Sequence, residues 1–152
     1  MRVQLAALSL VFTLGACGGD GGTGPDMNDP GDNNGGGGNT PSRTIKAEPS
    51  FASDIQEIFD RKSCGGSMCH GSALQAGLDL RSGNSYANLV NVTATQVSMN
   101  RVTPFDPAAS YLLKKLEGTQ TVGARMPPGG AVLDSIDIQN IKNWISNGAE
   151  NN

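Results

Sequence analysis

The stretch Cys64-Gly65-Gly66-Ser67-Met68-Cys69-His70 constrains this chain most, because it sets the only histidine directly after the second of two closely spaced cysteines. A Cys-x-x-Cys-His run attaches haem c through two thioether bonds, and the adjacent histidine offers a nitrogen to the iron. Here four residues separate the cysteines. The vinyl groups of a haem are a fixed distance apart, so the additional residues must bulge out of the attachment loop, and Gly65 and Gly66 give the backbone freedom to do that. Two other readings stand beside this one. An exported protein permits a small-loop disulfide between Cys64 and Cys69, which gives no reason for a histidine at position 70. A structural zinc site wants four protein ligands and would have to be completed with carboxylates.

The start of the chain bears on the compartment. One positive charge, Arg2, precedes an apolar run from Leu5 to Leu14 that is too short to span a bilayer as a helix. Residues 1–16 therefore read as an export signal. They end in Leu14-Gly15-Ala16-Cys17, which resembles the lipobox of bacterial lipoproteins, where the signal is cut before the cysteine and that cysteine receives lipid. The resemblance implies a lipid on Cys17 and leaves two of the three cysteines for haem or a disulfide. An ordinary signal with a chance cysteine is the alternative. Residues 17–50 are mostly Gly, Asn, Asp, Pro and Thr, including Gly35 to Gly38 in a row. Such composition buries too little apolar surface to offset chain entropy and is expected to form a flexible tether. About 30 residues of Gly-rich coil span on the order of 30 Å. Gly18 after the lipid cysteine, rather than Asp, further suggests delivery to the outer membrane, facing the periplasm or the cell surface, with the membrane reached through the lipid anchor.

Residues 51–152 are left for a single small domain. A net charge of −3 without basic clusters argues against a nucleic-acid partner. The aromatic residues after the signal all lie here, at Phe51, Phe59, Tyr86, Phe105, Tyr111 and Trp144. That is a thin supply for a core, and a buried haem would make up much of the deficit. A first helix is expected over Ser53 to Arg61, with Ser53 and Gln56 as a capping box and Phe51, Ile55, Ile58 and Phe59 at helical spacing. Leu78 and Leu80 read as a short extended segment, and Ser85 to Val90 as one or two helical turns. Asp106-Pro107 reads as cap and first residue of a helix through Tyr111, Leu112, Leu113 and Leu116 that Gly118 stops, with Lys114 and Lys115 on its solvated face. Asp134 or Ser135 caps a last helix that carries Ile138, Ile141, Trp144 and Ile145 on one face and ends at Gly148.

With His70 as one axial ligand and no second histidine, a six-coordinate iron would take a methionine. Met27 lies in the tether and Met68 inside the attachment loop, which leaves Met99 and Met126. Met126 stands before Pro127 and Pro128, whose fixed dihedrals pre-organise the loop, and is the expected ligand. The competing reading is a methionine that fills a gap in the core. Arg125 beside it is a candidate partner for a haem propionate or a plain surface residue.

The order of these features resembles the single-haem class I c-type cytochromes, in particular the exported bacterial type with a Met-Pro-Pro loop. The residues that carry the likeness are Phe59 in the first helix, the cysteine pair with His70-Gly71, Leu78 and Leu80, Ser110-Tyr111-Leu112, Arg125-Met126-Pro127-Pro128 and Asn143-Trp144-Ile145-Ser146-Asn147-Gly148-Ala149. The likeness covers nearly all of Phe51 to Ala149, and the cysteine spacing departs from it. It implies an all-α, cytochrome c-like helical domain whose first and last helices cross. It also implies one haem c held by Cys64 and Cys69, iron ligation by His70 and Met126, and electron exchange with redox donor and acceptor proteins rather than catalysis. A haem peroxidase or oxidase component, and a disulfide-closed binding module without cofactor, are the alternatives.

Overall fold

The computed structural model describes residues 43–152 apart from residue 131. The expected signal, Cys17, Met27 and most of the tether lie outside the described residues. A π-helical turn, Phe51–Ile55, runs directly into α1 (Gln56–Arg61). After it come a 3-10 turn (Gln75–Gly77), α2 (Ser85–Leu89), α3 (Tyr111–Glu117) and α4 (Ser135–Ser146). Among the described residues there are no named strands, only isolated bridges pairing Val90 with Val102 and Thr93 with Asn100 in the irregular segment between α2 and α3. This is a small all-α domain, and none of its described helices is long and apolar enough to cross a membrane.

The core forms where α4 packs against the N-terminal π turn and against α3. Ile141, Trp144 and Ile145 of α4 are buried at the spacing expected of one helix face, together with Ile55, Ile58 and Phe59. Phe51 lies between two other rings, edge-on to Tyr86 at 5.1 Å and tilted against Trp144 at 5.2 Å between centroids. The polar tips of these rings are satisfied: Tyr86 Oη donates to the Ala149 carbonyl at 3.0 Å and Trp144 Nε1 to that of Glu150 at 2.9 Å. Asn152 closes the domain, its Oδ1 accepting from the Phe51 N–H at 2.7 Å and its carbonyl from that of Ala52 at 2.8 Å.

Several expectations need correction. The first helix starts at Phe51, so Ser53 lies inside it and makes no cap; Asp54 accepts the Ser50 N–H at 2.9 Å instead. Gln56 is buried and serves as a tie, donating to Asp60 at 2.8 Å and to the Leu80 carbonyl at 3.2 Å, and accepting from the Ser85 hydroxyl. Asp106 closes a separate turn through the Ala109 N–H at 2.9 Å, and α3 begins only at Tyr111. The first two N–H groups of α3 donate to the carbonyls of Asn100 and Arg101, so neighbouring chain satisfies donors that a cap would otherwise serve. Gly118, at φ +81°, ends α3 as expected. Lys115 is buried rather than solvated.

The domain also starts earlier than position 51. Asn140 and Asn143 of α4 and its C-cap Asn147 bind the backbone of a strap over 43–50. Asn140 donates to the Thr44 carbonyl at 2.9 Å and accepts the Lys46 N–H at 2.7 Å, while Asn143 and Asn147 donate to the carbonyls of Lys46 and Ala47. Arg43 completes the strap through Asp134 at 2.7 Å and Asp137 at 3.0 Å.

Asp134 is the N-cap of α4 and accepts the Asp137 N–H at 3.0 Å. Burial opposes its ionisation, but that N–H and the Arg43 guanidinium outweigh burial and hold it below its ordinary 3.8. A carboxylate depressed in the folded state stabilises above its unfolded pKa and loses that contribution as pH falls through the folded value. Replacing Asp134 with Ala should cost about 1 kcal/mol near neutral pH. Asp134→Asn keeps a cap acceptor but loses the charge, so its deficit in urea unfolding should shrink as pH falls below 3.8. A deficit that does not change with pH would contradict this account of the cap.

Candidate functional site

The cysteine loop is closed by its own backbone. α1 delivers the chain to Cys64, whose N–H bonds the Phe59 carbonyl at 2.8 Å. Gly66 N–H donates to Ser63, Cys69 N–H to Gly66 and His70 N–H back to Cys64, at 3.0, 2.9 and 3.0 Å. The intervening residues bulge as the sequence requires while His70 is returned beside Cys64. The closure depends on Gly71, because a Cβ there would stand 2.3 Å from the Gly65 oxygen and 2.7 Å from that of Gly66. No side chain fits such a gap without moving backbone.

His70 is held from behind. Its Nδ1 lies 2.9 Å from the Gln75 carbonyl, and a carbonyl only accepts, so Nδ1 carries the proton and Nε2 keeps its lone pair. Burial lowers the imidazole pKa, against the opposing effect of the Gln75 bond, and the charges of Arg101 and Lys115 lower it further. The ring is therefore a neutral imidazole whose Nε2 is available as a ligand, while the Gln75 carbonyl orients it through Nδ1 as backbone carbonyls ordinarily orient ligating histidines.

His70, Cys64, Cys69 and Met126 all line one cavity of about 370 Å³, within the range of roughly 300–1,000 Å³ typical of small-molecule sites. Its walls are mostly apolar, with Phe59 from α1, Leu78 and Leu80 from the extended segment, Leu89 from α2, Leu112 and Leu116 from α3, and Pro127 and Pro128 beyond Met126. The two candidate methionines differ here. Met99 lies instead along a separate, open groove over residues 93–100. Met68 lines the cavity while 72% exposed, so the attachment loop is where the cavity meets solvent.

Cys64 is a free thiol, pushed up to about 11 by burial, so the two cysteines are not closed on each other. Cys69 is disulfide-bonded. Among the described residues no group of three or more His, Cys, Asp and Glu side chains gathers to hold a metal ion.

The electrostatics of the cavity were not legible in the sequence. Among the described residues Lys62, Arg101 and Lys115 line it and no Asp or Glu does, in a chain whose net charge is −3. Arg101 is buried and donates only to carbonyls, those of Asn88 at 2.8 Å, Ala76 at 3.1 Å and Gly77 at 3.0 Å. Arg125 is not in the wall; its Nε donates to the Leu116 carbonyl at 2.8 Å. No pattern in the sequence marks Arg101 or Lys115, because each is held by backbone oxygens rather than by a spaced acidic partner.

Compared with known protein families, with curated protein sequences and with solved structures, the chain matches none.

Proposed function

We propose that this protein is an electron carrier that holds one haem c in the cavity, attached through Cys64 and Cys69, with His70 and Met126 as axial ligands. The observation that carries the reading is convergence: two cysteines, the only histidine and a proline-stiffened methionine, spread over residues 64–126, line one largely apolar cavity. The chemistry of the donor set fits the group. A neutral imidazole with Nε2 free suits iron, a thioether suits the other axial position, and leucine and aromatic walls suit the macrocycle. Three cations without an acid among the lining residues suit a ligand that bears carboxylates. Thioether attachment requires both thiols, so Cys69 must be reduced before the haem is fixed.

Bound there, the haem supplies reversible one-electron chemistry, and the protein sets its potential through the ligands, the burial and the surrounding charge. A His/Met pair and a positively charged wall both favour the reduced state and hence a higher potential than bis-His ligation. Electrons exchange with donor and acceptor proteins where the exposed attachment loop meets solvent. The reading needs no catalytic acid or base and assigns none, since the one histidine is used as a ligand. The alternative of a disulfide-closed module fits poorly with the free thiol of Cys64.

The same proposal places the carrier outside the cytoplasm on a lipid-modified Cys17. Metabolic labelling with a fatty acid should mark the wild type and not Cys17→Ser, and a soluble, unlabelled wild type would defeat this part of it.

Met126→Ala should abolish the weak near-infrared band of ferric iron–methionine ligation, lower the reduction potential and open the iron to carbon monoxide or cyanide. Met99→Ala should leave all three near wild-type values. If the band survives the first substitution and disappears with the second, the ligand is Met99. If the wild type never shows the band, the sixth position is open or otherwise filled and the peroxidase-like alternative gains.

A further inference from the structure

Lys115 combines features that packing alone does not call for. It is buried, yet it has no carboxylate partner in the hydrogen bonds and ion pairs described. Its ammonium donates to the Val122 carbonyl at 2.7 Å and to that of Ala124 at 3.2 Å, and stands 5.5 Å from the centre of the Tyr111 ring. Its own carbonyl accepts the Met126 N–H at 2.9 Å. One residue of α3 thus grips the loop leading to Met126 twice, by side chain in the middle and by backbone at the methionine itself.

The surroundings are built for this grip. Tyr111 Oη also donates to Val122, at 3.1 Å, so both lone pairs of that carbonyl are used. Gly123, at φ +73°, lets the ammonium approach, because a Cβ there would stand 2.8 Å from Nζ. Burial of an ammonium against carbonyls and a ring face costs desolvation that a surface lysine avoids. A leucine at the same place would fill the wall more cheaply, but it would take the side-chain donor from the Ala124 carbonyl and leave that of Val122 with Tyr111 alone.

We propose that Lys115 is a positioning residue for Met126: it clamps loop 119–126 onto α3 so that the thioether is held at the cavity, and through it at the iron. The inference rests on the haem reading above, and it names the residue that makes a weak iron–thioether bond persist. A ligand of that kind is kept by pre-organisation of its loop, since each freed backbone dihedral adds entropy to the detached state.

The test uses the full chain matured with haem. In Lys115→Met the near-infrared band should fall, and cyanide should bind the ferric protein about ten-fold faster or more, because ligand exchange follows the opening of a locally stabilised segment. Lys115→Arg keeps a donor and should return the cyanide rate to within about three-fold of wild type. Gly123→Ala keeps the charge but strains the loop at φ +73° and crowds the ammonium that holds it, so it should reproduce the Lys115→Met phenotype, which keeps the test available if Lys115→Met folds poorly. A merely structural role predicts a lower urea midpoint with an unchanged band and cyanide rate, and that result overturns the proposal. Failure of the haem reading looks different, as a wild type without the band. The clamp is then read from amide exchange alone: protection of the Met126 N–H, which donates to the Lys115 carbonyl, should drop about ten-fold in Lys115→Met while that of α4 holds, and equal exchange in the two proteins overturns it.

Discussion

The approach of Gly71 to the carbonyls of Gly65 and Gly66 is the contact on which the rest of the site depends. Because no Cβ intervenes, the chain after His70 can pass across the bulge between the cysteines, and the His70 N–H can reach back to Cys64. The return positions everything that follows. Leu80 N–H donates to the His70 carbonyl at 2.7 Å, which brings the extended segment alongside, and Gln75 then lies where its carbonyl can take the imidazole proton. The buried amide of Gln56 ties α1, Leu80 and Ser85 of α2 together, so the wall beside the loop is braced by polar bonds as well as apolar packing. A six-residue interval from Cys64 to His70 that would be slack in a free peptide is thereby given one conformation.

Around that loop the domain sets charge in an uncommon way. Arg101 braces the segment behind His70, and Lys115 braces the loop before Met126, each through carbonyl oxygens. Neutralising either with a carboxylate would have brought an acid into the cavity wall. Using carbonyls leaves the positive charge intact, and the imidazole of His70 feels both cations. In a largely apolar cavity such charges act at reduced screening, so the same two residues that fix the geometry of the site also make it electrostatically favourable to anionic groups.

What could be read from the sequence was what local pattern encodes. The cysteine–histidine run, the proline-stiffened methionine and the apolar stripe of α4 are each short-range signals, and Cys64, Cys69, His70 and Met126 do share a cavity. Asp106-Pro107 is as good a signal for an isolated turn as for a helix, and the start of α3 is set instead by the carbonyls of Asn100 and Arg101, which lie well back in the chain yet accept the first N–H groups of the helix. Residues 43–50 directly follow a Gly- and Asn-rich stretch and carry no helix or strand pattern of their own, yet they are held by Asn140, Asn143 and Asn147. Binding by side-chain amides to backbone leaves no mark on the bound segment, and only the spacing of three and four along α4 betrays it afterwards. Lys114-Lys115 looked like a solvated face because paired lysines usually are one; the loop carbonyls that bury Lys115 belong to a segment with no regular structure to anticipate.

The central claim is that the cavity behind Cys64 and His70 holds a covalently attached haem. The most direct test is a pyridine haemochrome spectrum together with intact and peptide mass on protein matured in a host that assembles c-type cytochromes. The account predicts the spectrum of a haem with both vinyl groups saturated and one haem per chain, on the peptide that contains Cys64 and Cys69. A colourless protein, or a peptide in which those two cysteines are joined to each other without a haem adduct, would contradict it.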